Sequence, residues 1–584
     1  MGRASTILVR WVAPILALVV VLGVAFVLFA PRLVSIEVVR RSMSREIAGW
    51  SGRSMTFEGT PEVAFTPFLT VTFPKARIES ARDGTLLVDM DALRAQVPLL
   101  PLIFRGRIEP SAFTFRKPHF RVNRAADGTT NWDYPSGLDA TSPLRQLIIV
   151  DGSLDYDDAS GLGASLTAIN ATLELPDLRR AASIQGSARW QNQPFVLYAA
   201  LDSPGALIAG EAANARIVLE SNVLRGTYDG SVRQLDGIAA NGQLSLSTPS
   251  VTDLAELFGL PTGRMPRIGA ASIASSAGFA RGALTLGDVA LTVNGNEGVG
   301  ALSLALGGDR PAVQATLAFD ALDVGNTIDA VRAIVDTSRL APDAPLDWPK
   351  LNRIDADLRI SADQLRLVGG ATSRIAASLA LRDGRLDLAI GDMQLYGGRL
   401  TASFSSEMQG DAPSGSLQAR VDGLALKTAL GELVGIDAID GSLSGTLSLQ
   451  GRGESWNALM ASLTGRGSAS IARGSIRGLD LSVLTASNAA IPTLMGRLFN
   501  GSTAFTAARA DLSIAGPTIY APELTVTGSG FSAEMAAEAS LGSPDIRAHG
   551  AIELAGRRAP PATQPFEITG SWSHPVVRAT GQTP

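Results

Sequence analysis

The first residues of the chain contain an apolar run with no charged side chain. It extends from Trp11 to Ala30 with the sequence WVAPILALVVVLGVAFVLFA. A helix of this length measures about 30 Å at ~1.5 Å per residue, which matches the hydrocarbon thickness of a bilayer. The pattern predicts a transmembrane anchor, whose apolar residues include Trp11, Leu16, Val20, Val24 and Leu28.

A cleaved secretory signal is the alternative for this run, because Arg3 and Arg10 precede it. Signal h-regions are shorter, at about 7–15 residues, and no small-x-small cleavage site precedes the Pro-Arg pair at 31–32. We therefore expect an uncleaved anchor. Arginines flank the run on both sides, so their bias leaves its orientation open. The tether favours an envelope location with the body outside the cytoplasm.

After the run, the hydrophobic period changes from that of a helix to that of strands. Spacings of three and four residues between Leu33 and Trp50 predict an amphipathic helix. Farther on, apolar residues alternate with Ser, Thr, Gly, Ala or Asp, which predicts half-buried strands. The clearest sets are Leu302, Leu304 and Leu306, then Leu386, Leu388 and Ile390, then Leu443, Leu447 and Leu449, and also Leu244 and Leu246.

Turn signals separate these strands. Asp-Gly and Asn-Gly pairs recur along the chain, and they supply the positive φ that two-residue hairpin turns require. The segment 379–388, centred on Asp383-Gly384, is the clearest predicted hairpin. Helical patterns interrupt the strands at Val251–Leu260, Leu322–Val335 and Leu481–Phe499. Antiparallel β-structure should therefore dominate, with a few short helices.

Composition and charge narrow the function classes. The chain has 60 glycines among 584 residues, 18% charged and 5% aromatic residues, and no cysteine. This indicates many turns, few solvated helices and no thiol or disulfide chemistry. The net charge is −5, and no cluster of Lys and Arg follows residue 60. A nucleic-acid partner is not expected, because such proteins carry a basic footprint.

No motif for catalysis, a metal or a cofactor is found in the sequence. His119, His549 and His574 are far apart and lack ligand-type neighbours at metal-binding spacing. The carboxylates Asp151, Asp155, Asp157 and Asp158 lack the order of a calcium loop. Glycine pairs such as Gly451/Gly453 and Gly528/Gly530 lack the third glycine of a phosphate loop, and no serine has a nucleophile-elbow setting. We expect no catalytic, metal or cofactor site and no enzyme.

Several blocks of sequence resemble the AsmA family. They include Ser51-Gly52-Arg53 with Phe65-Thr-Pro67-Phe68, although an aromatic is expected before that proline. Further blocks are Pro118 to Trp132 with its Asp127-Gly128 and Asn131, Ile149 to Asp157, Leu395-Tyr396-Gly397-Gly398, Leu463-Thr-Gly465, Gly474 to Leu481, and Leu524 to Gly530. Each block alone is weak, and their order along most of the chain carries the resemblance.

The resemblance implies a single-pass protein of the bacterial inner membrane with its bulk in the periplasm. It also implies a role in envelope biogenesis, akin to TamB-like and other bridge-type lipid-transfer proteins. The implied fold is mainly β: an N-terminal transmembrane helix followed by an elongated, partly open antiparallel β-sheet groove. The expected partners are membrane lipids, through phospholipid acyl chains, and outer-membrane or assembly-machinery proteins.

The sequence suggests six segments: 1–10 cytoplasmic, 11–30 anchor, 31–180 an N-terminal β region, 181–380 a middle β region, 381–558 a C-terminal β region, and 559–584 a last strand and tail. The nine leucine and isoleucine residues from 302 to 449 are candidates for an apolar groove. Two alternatives stay open at this point. The same residues could be the core of a closed sandwich, or the protein could be a scaffold that assembles outer-membrane proteins or lipopolysaccharide.

Overall fold

The computed structural model describes most of the chain after residue 54. The described residues are 55–64, 69–80, 84–98, 110–125, 129–132, 145–158, 163–235, 237–259, 267–306, 310–325, 342–344, 354–366, 372–409, 412–434, 438–477, 480, 501–541, 543, 545–554, 562–571 and 574–580. The predicted anchor and the helices predicted at 33–50 and 481–499 lie outside them. None of the helices within these ranges combines the length and hydropathy needed to cross a bilayer.

The chain forms two compact units, which we describe separately. Unit 1 comprises the described residues up to Phe258 together with Ser276–Arg281, and unit 2 comprises those of Gly259–Ser275 and of Gly282 onward. Both units are built mainly of strands. The six segments suggested by the sequence stay a prediction.

Unit 1 consists of one ladder of strands with two short helices. The strands are β1 Met55–Phe57, β2 Glu62–Ala64, β3 Leu69–Glu79, β4 Leu86–Val97, β5 Ala112–Arg116, β6 His119–Arg124, β7 Gln146–Asp158, β8 Gly163–Glu174, β9 Ala182–Trp190, β10 Gln193–Leu201, β11 Ala213–Ser221, β12 Arg225–Leu235 and β13 Gly237–Thr248. Helix α1, Pro204–Ile208, follows β10, and helix α2, Val251–Leu257, follows β13. Strand β14, Ala271–Ala280, is divided between the units.

Unit 2 continues in the same manner. Its strands are β15 Ala283–Val293, β16 Asn296–Ala305, β17 Ala312–Asp323, β18 Asp355–Arg366, β19 Thr372–Arg382, β20 Arg385–Leu395, β21 Gly398–Gln409, β22 Ala412–Ala425, β23 Ile439–Arg452, β24 Thr464–Arg477, β25 Ser502–Ala515, β26 Thr518–Gly528, β27 Phe531–Ser540, β28 Asp545–Leu554, β29 Ala562–Ser571 and β30 His574–Ala579. Helix α3, Leu426–Val434, precedes β23, and helix α4, Trp456–Ser462, follows it.

Most strands pair antiparallel with their sequence neighbours, but the sheet is mixed. Strands β5 and β6 both pair parallel with β7, and β17 pairs parallel with β18. The expected antiparallel pairing therefore dominates, and the expectation of an antiparallel sheet is wrong at these three pairs. A parallel pair requires a connection that returns the chain to the same end of the sheet.

The turn signals have two different structural outcomes. Asp383 and Gly384 have φ of 53° and 78° and join β19 to β20, which confirms the predicted hairpin. Asp422-Gly423 and Asp440-Gly441, in contrast, lie inside β22 and β23 at breaks in the strand register. Gly423 and Gly441 have φ of 74° and 140°. A β-bulge uses positive φ as a hairpin does, so these pairs bend strands instead of ending them.

The helix prediction was partly correct. Helix α2 falls within the predicted segment 251–260. Leu322, expected to begin a helix, instead lies near the end of β17, and residues 326–335 lie outside the described part of the chain. Helices α1, α3 and α4 were not predicted. They have 5, 9 and 7 residues, and helices this short depend on tertiary packing because a single turn costs more to nucleate than it gains.

Each unit has a packed core. In unit 1 it joins β1, β3, β4 and β5, where Phe73 and Leu93 are fully buried and Phe57 stacks on Phe73 at 4.4 Å between ring centroids. In unit 2 one cluster joins β25 to β28 around Phe505 and Phe531. A second unit 2 cluster lies at the end of β18 and β20 and contains Leu365, Met393 and Leu395. Between these clusters the apolar residues are less covered, and that region is the candidate site.

Candidate functional site

The strands of unit 2 present one apolar face whose rows cross the sheet without interruption. Residues paired across neighbouring strands share a face, so the registers show which side chains form each row. We define the central apolar row as Leu286, Leu302, Ala315, Leu358, Leu379, Leu388, Phe404, Leu417, Leu449, Gly465, Ile514, Ile519, Ala539 and Ile546. At ~4.8 Å between strands, it follows the sheet for about 60 Å.

A second row runs beside the central one on the same side. It consists of Val289, Gly300, Leu317, Ile360, Ala377, Ile390, Ala402, Ala419, Leu447, Gly467 and Leu512. The opposite side of the same strands has Ser303, Gln314, Asp357, Ser405, Ser416, Gln450 and Thr464 in register. We call the two sides the apolar face and the polar face of unit 2.

The structure brings the leucine sets chosen from sequence onto this apolar face. Leu302, Leu388 and Leu449 belong to the central row, and Ile390 and Leu447 belong to the second row. Leu304 and Leu386 lie in a third row, and Leu443 pairs with Leu424 and Ile471. Leu306 is the exception, since it follows the last residue of β16 and is 54% exposed.

The exposure of these side chains differs along each strand. In β20, Met393 and Leu395 are buried at 7% and 9% exposure, whereas Leu388 is 36% exposed. Leu386 and Ile390 are half-buried, as are Leu302, Leu443, Leu447 and Leu449. A closed core buries such residues almost completely. The apolar face thus has a packed edge and a broader, incompletely covered part.

Bulges separate these two parts of the strands. Register breaks fall between Ala362 and Leu365 in β18, between Ile390 and Met393 in β20, and between Val421 and Leu424 in β22. Bulges bend a strand and increase its twist. In β20 the half-buried Leu386 and Ile390 precede the break, and the buried Met393 and Leu395 follow it, so this bulge marks the border of the open part.

Short helices lie at both ends of β23. Helix α3 is held by the Tyr396 hydroxyl, which donates to Glu432 Oε2 at 2.8 Å. Tyr396 and Gly397 have φ of 46° and 75° in the turn between β20 and β21, so the Leu-Tyr-Gly-Gly block is a hairpin turn that anchors a helix. At the other end, Leu459 of α4 packs over Gly451.

The glycines in the C-terminal blocks have a packing role. A Cβ at Gly474 would meet the ring of Phe505, and one at Gly528 would meet the ring of Phe531. Both rings belong to the core cluster of β25 to β28. These glycines let aromatic side chains lie flat on the neighbouring strand.

In unit 1, Asn131 explains the block from Pro118 to Trp132. Its side-chain amide donates to the Arg121 carbonyl at 2.9 Å, and its Oδ1 accepts from the Asn123 backbone N–H at 3.0 Å. Asn131 is 6% exposed. Its side-chain amide therefore forms the hydrogen bonds with the backbone at the end of β6 that a neighbouring strand would otherwise form.

The histidines and the acidic cluster need one correction. In the sequence, no carboxylate lies at metal-binding spacing from His119. In the structure, however, its Nδ1 lies 2.7 Å from Ser153 Oγ and its Nε2 lies 3.3 Å from Asp155 Oδ2. The parallel pairing of β6 with β7 creates this contact. The three side chains tie two parallel strands together. Among the described residues, no group of three or more His, Asp or Glu is arranged to hold a metal ion.

Comparison with known proteins agrees with the sequence blocks. Residues 336–517 match the model of the AsmA family. This segment contains β18 to β25, which carry the middle of the apolar face. No curated protein and no solved structure matches the chain. The match confirms the resemblance found in the sequence and identifies residues 336–517 as an AsmA family region of this chain.

Proposed function

We propose that the protein carries phospholipid along the apolar face of unit 2, between the inner and outer membranes of a bacterial envelope. The observation that carries the proposal is the uninterrupted central apolar row, many of whose leucines are only half-buried. An AsmA family region and a large β-sheet fit envelope biogenesis and lipid transport. The anchor predicted at residues 11–30 supports attachment to the inner membrane.

The physical basis is the transfer of acyl chains from water to an apolar surface. Each buried CH₂ gains about 0.8 kcal/mol, and successive residues of a row are similar enough that a chain loses little when it moves by one strand. The polar headgroup can stay in water beside the strands. Carriage of this kind uses no catalytic residue, metal or cofactor, in agreement with the absence of such motifs from the sequence.

Photo-crosslinking in the full-length chain tests the proposal. A photoreactive amino acid at Leu388 faces the apolar side of β20, and one at Ala389 faces the polar side of the same strand. Irradiation in cells followed by mass spectrometry should find phospholipid attached at position 388 and none at 389. Equal labelling at both positions, or protein adducts without lipid at 388, would contradict lipid carriage, and the protein adducts would favour the assembly scaffold.

A charged substitution gives an independent test. The triple variant Leu302→Asp, Leu304→Asp and Leu306→Asp adds three carboxylates in and just beyond β16. The lipid adduct at position 388 should fall while the protein still accumulates and folds, because Leu302 and Leu304 are only half-buried. Unfolding of the variant would instead mean that these residues are core.

A further inference from the structure

The polar face of unit 2 contains two arginines without a carboxylate partner on strands separated by only one other strand. Five arginines of β18 to β21 have a carboxylate partner: Arg359 and Arg382 with Asp357, Arg374 with Asp363, Arg385 with Asp387 and Glu407, and Arg399 with Asp392. Arg420 of β22 and Arg466 of β24 have no ion-pair or hydrogen-bond partner among the described residues.

Both arginines line the same depression. It has a volume of about 770 Å³ and is open to solvent on β20 to β24. Its other polar side chains are neutral: Thr401, Ser403, Gln418, Thr446, Ser448 and Ser468. No carboxylate lines it, whereas Glu407 lines the depression beside Arg385, and Asp363 and Asp422 line the one beside Arg399. The lining thus contains two guanidinium groups and no carboxylate. The nearest carboxylates in register flank it: Asp511 pairs with Ser468, and Asp422 is two residues from Arg420.

The strand register places the two guanidinium groups on opposite sides of one strand. Arg420 pairs with Thr446 of β23, and Thr446 pairs with Ser468 of β24. Arg466 is two residues from Ser468, so its Cα lies about 12 Å from that of Arg420 by strand spacing and rise. Both side chains are exposed and long enough to meet above β23. A group bound there would also reach the hydroxyls of Thr446 and Ser448.

We propose that this depression binds an oxyanion of the phosphate type. Planar guanidinium groups form paired, charge-assisted hydrogen bonds with phosphate oxygens, and serine and threonine hydroxyls donate to the remaining oxygens. The site is on the polar face, so its ligand does not lie among the apolar rows. The proposal stands whether or not the apolar face carries lipid.

Titration calorimetry on the full-length protein in neutral detergent tests the site. The two probes are inorganic phosphate, which represents a free anion, and glycerophosphoglycerol, which represents a lipid headgroup. Arg420→Gln with Arg466→Gln should weaken binding about tenfold or more, since each removes a charge-assisted pair. The control, Arg385→Gln with Arg399→Gln, removes the same net charge from ion-paired positions and should change binding by less than about twofold.

The calorimetric results expected with and without this site are different. Saturable binding of either probe that is lost only in the Arg420/Arg466 variant supports the site, and the tighter probe identifies the source of the oxyanion. Lysine at both positions keeps the positive charge but lacks the planar guanidinium group that can donate two parallel hydrogen bonds. The affinity of this variant should therefore lie between those of the wild type and the glutamine variant. Absence of saturable binding, or equal loss in the control variant, overturns the proposal. Unchanged circular dichroism and thermal midpoint verify that the variants fold.

Discussion

Truncation of two leucines in the same sheet measures directly whether the apolar face is open. Leu365 of β18 is 3% exposed and belongs to the packed cluster with Met393 and Leu395. Leu388 of β20 is 36% exposed and belongs to the central apolar row. The substitution to Ala removes the same atoms at both positions. Any difference in cost therefore reports the surroundings of the side chain.

The structure sets the expected sizes. Leu365→Ala leaves a cavity in a packed cluster, and such changes cost about 2–5 kcal/mol. Leu388 has roughly two-thirds of its side chain covered, and no cavity forms on an open face. The only cost that remains is the lost free energy of transferring the deleted atoms from water to the protein surface. A fully buried leucine gains about 1.5–3 kcal/mol from this transfer, so the partly covered Leu388 should lose about 1 kcal/mol. The two variants should thus differ by about 1–4 kcal/mol.

Hydrogen exchange read by mass spectrometry is the suitable assay, since a chain of 584 residues does not unfold in one step. Local opening of β18 to β20 is followed in peptides that cover residues 355–395. A loss of about 3 kcal/mol accelerates exchange about 150-fold, and a loss of about 1 kcal/mol accelerates it about fivefold. Equal acceleration in both variants would refute the open face, because Leu388 would then lie in a closed core.

Three further substitutions test other parts of the structure. Gly474→Ala should lower stability by about 1–3 kcal/mol, seen as a lower thermal midpoint, because its Cβ overlaps the ring of Phe505. Tyr396→Phe removes the hydrogen bond to Glu432 and should speed exchange in α3 by an amount equivalent to about 1 kcal/mol. Burial, then the hydrogen bond to a neighbouring carboxylate, raises the pKa of Tyr156. Its stabilising contribution is present below pH 10 and lost as pH rises through the folded pKa, so Tyr156→Phe should reduce the alkaline loss of stability.

The controls for these changes are specific. Gly431 lies in α3 with no atom within 4 Å of an added Cβ, so Gly431→Ala should be neutral or stabilise by up to about 1 kcal/mol. A stable Gly474→Ala variant would contradict the packing of Phe505. Unchanged exchange in α3 after Tyr396→Phe would show that the helix is held by other contacts. An identical alkaline profile in Tyr156→Phe would exclude a role for its hydroxyl.

Local sequence signals predicted much of the strand structure. They failed where contacts with a distant part of the chain determine the conformation. Asp383-Gly384 forms a hairpin because two residues suffice to reverse the chain. Asp422-Gly423 has the same signal but lies at a bulge, because β22 continues to pair with β21 and β23 beyond it. Likewise, the contact of His119 with Asp155 depends on a parallel pairing between strands, which spacing in the sequence does not reveal.

The sequence by itself determined that the body is mainly β and that alternating leucines share one face, because side chains of a strand alternate with a period of two. The order of its blocks also indicated the family. Only the tertiary structure decided which of those leucines are covered, since Leu388 and Leu395 follow the same local pattern but differ in exposure. It also decided that Arg420 and Arg466 line one depression whose lining has no carboxylate. Both outcomes depend on strand register and bulges, which arise from contacts between residues far apart in the chain.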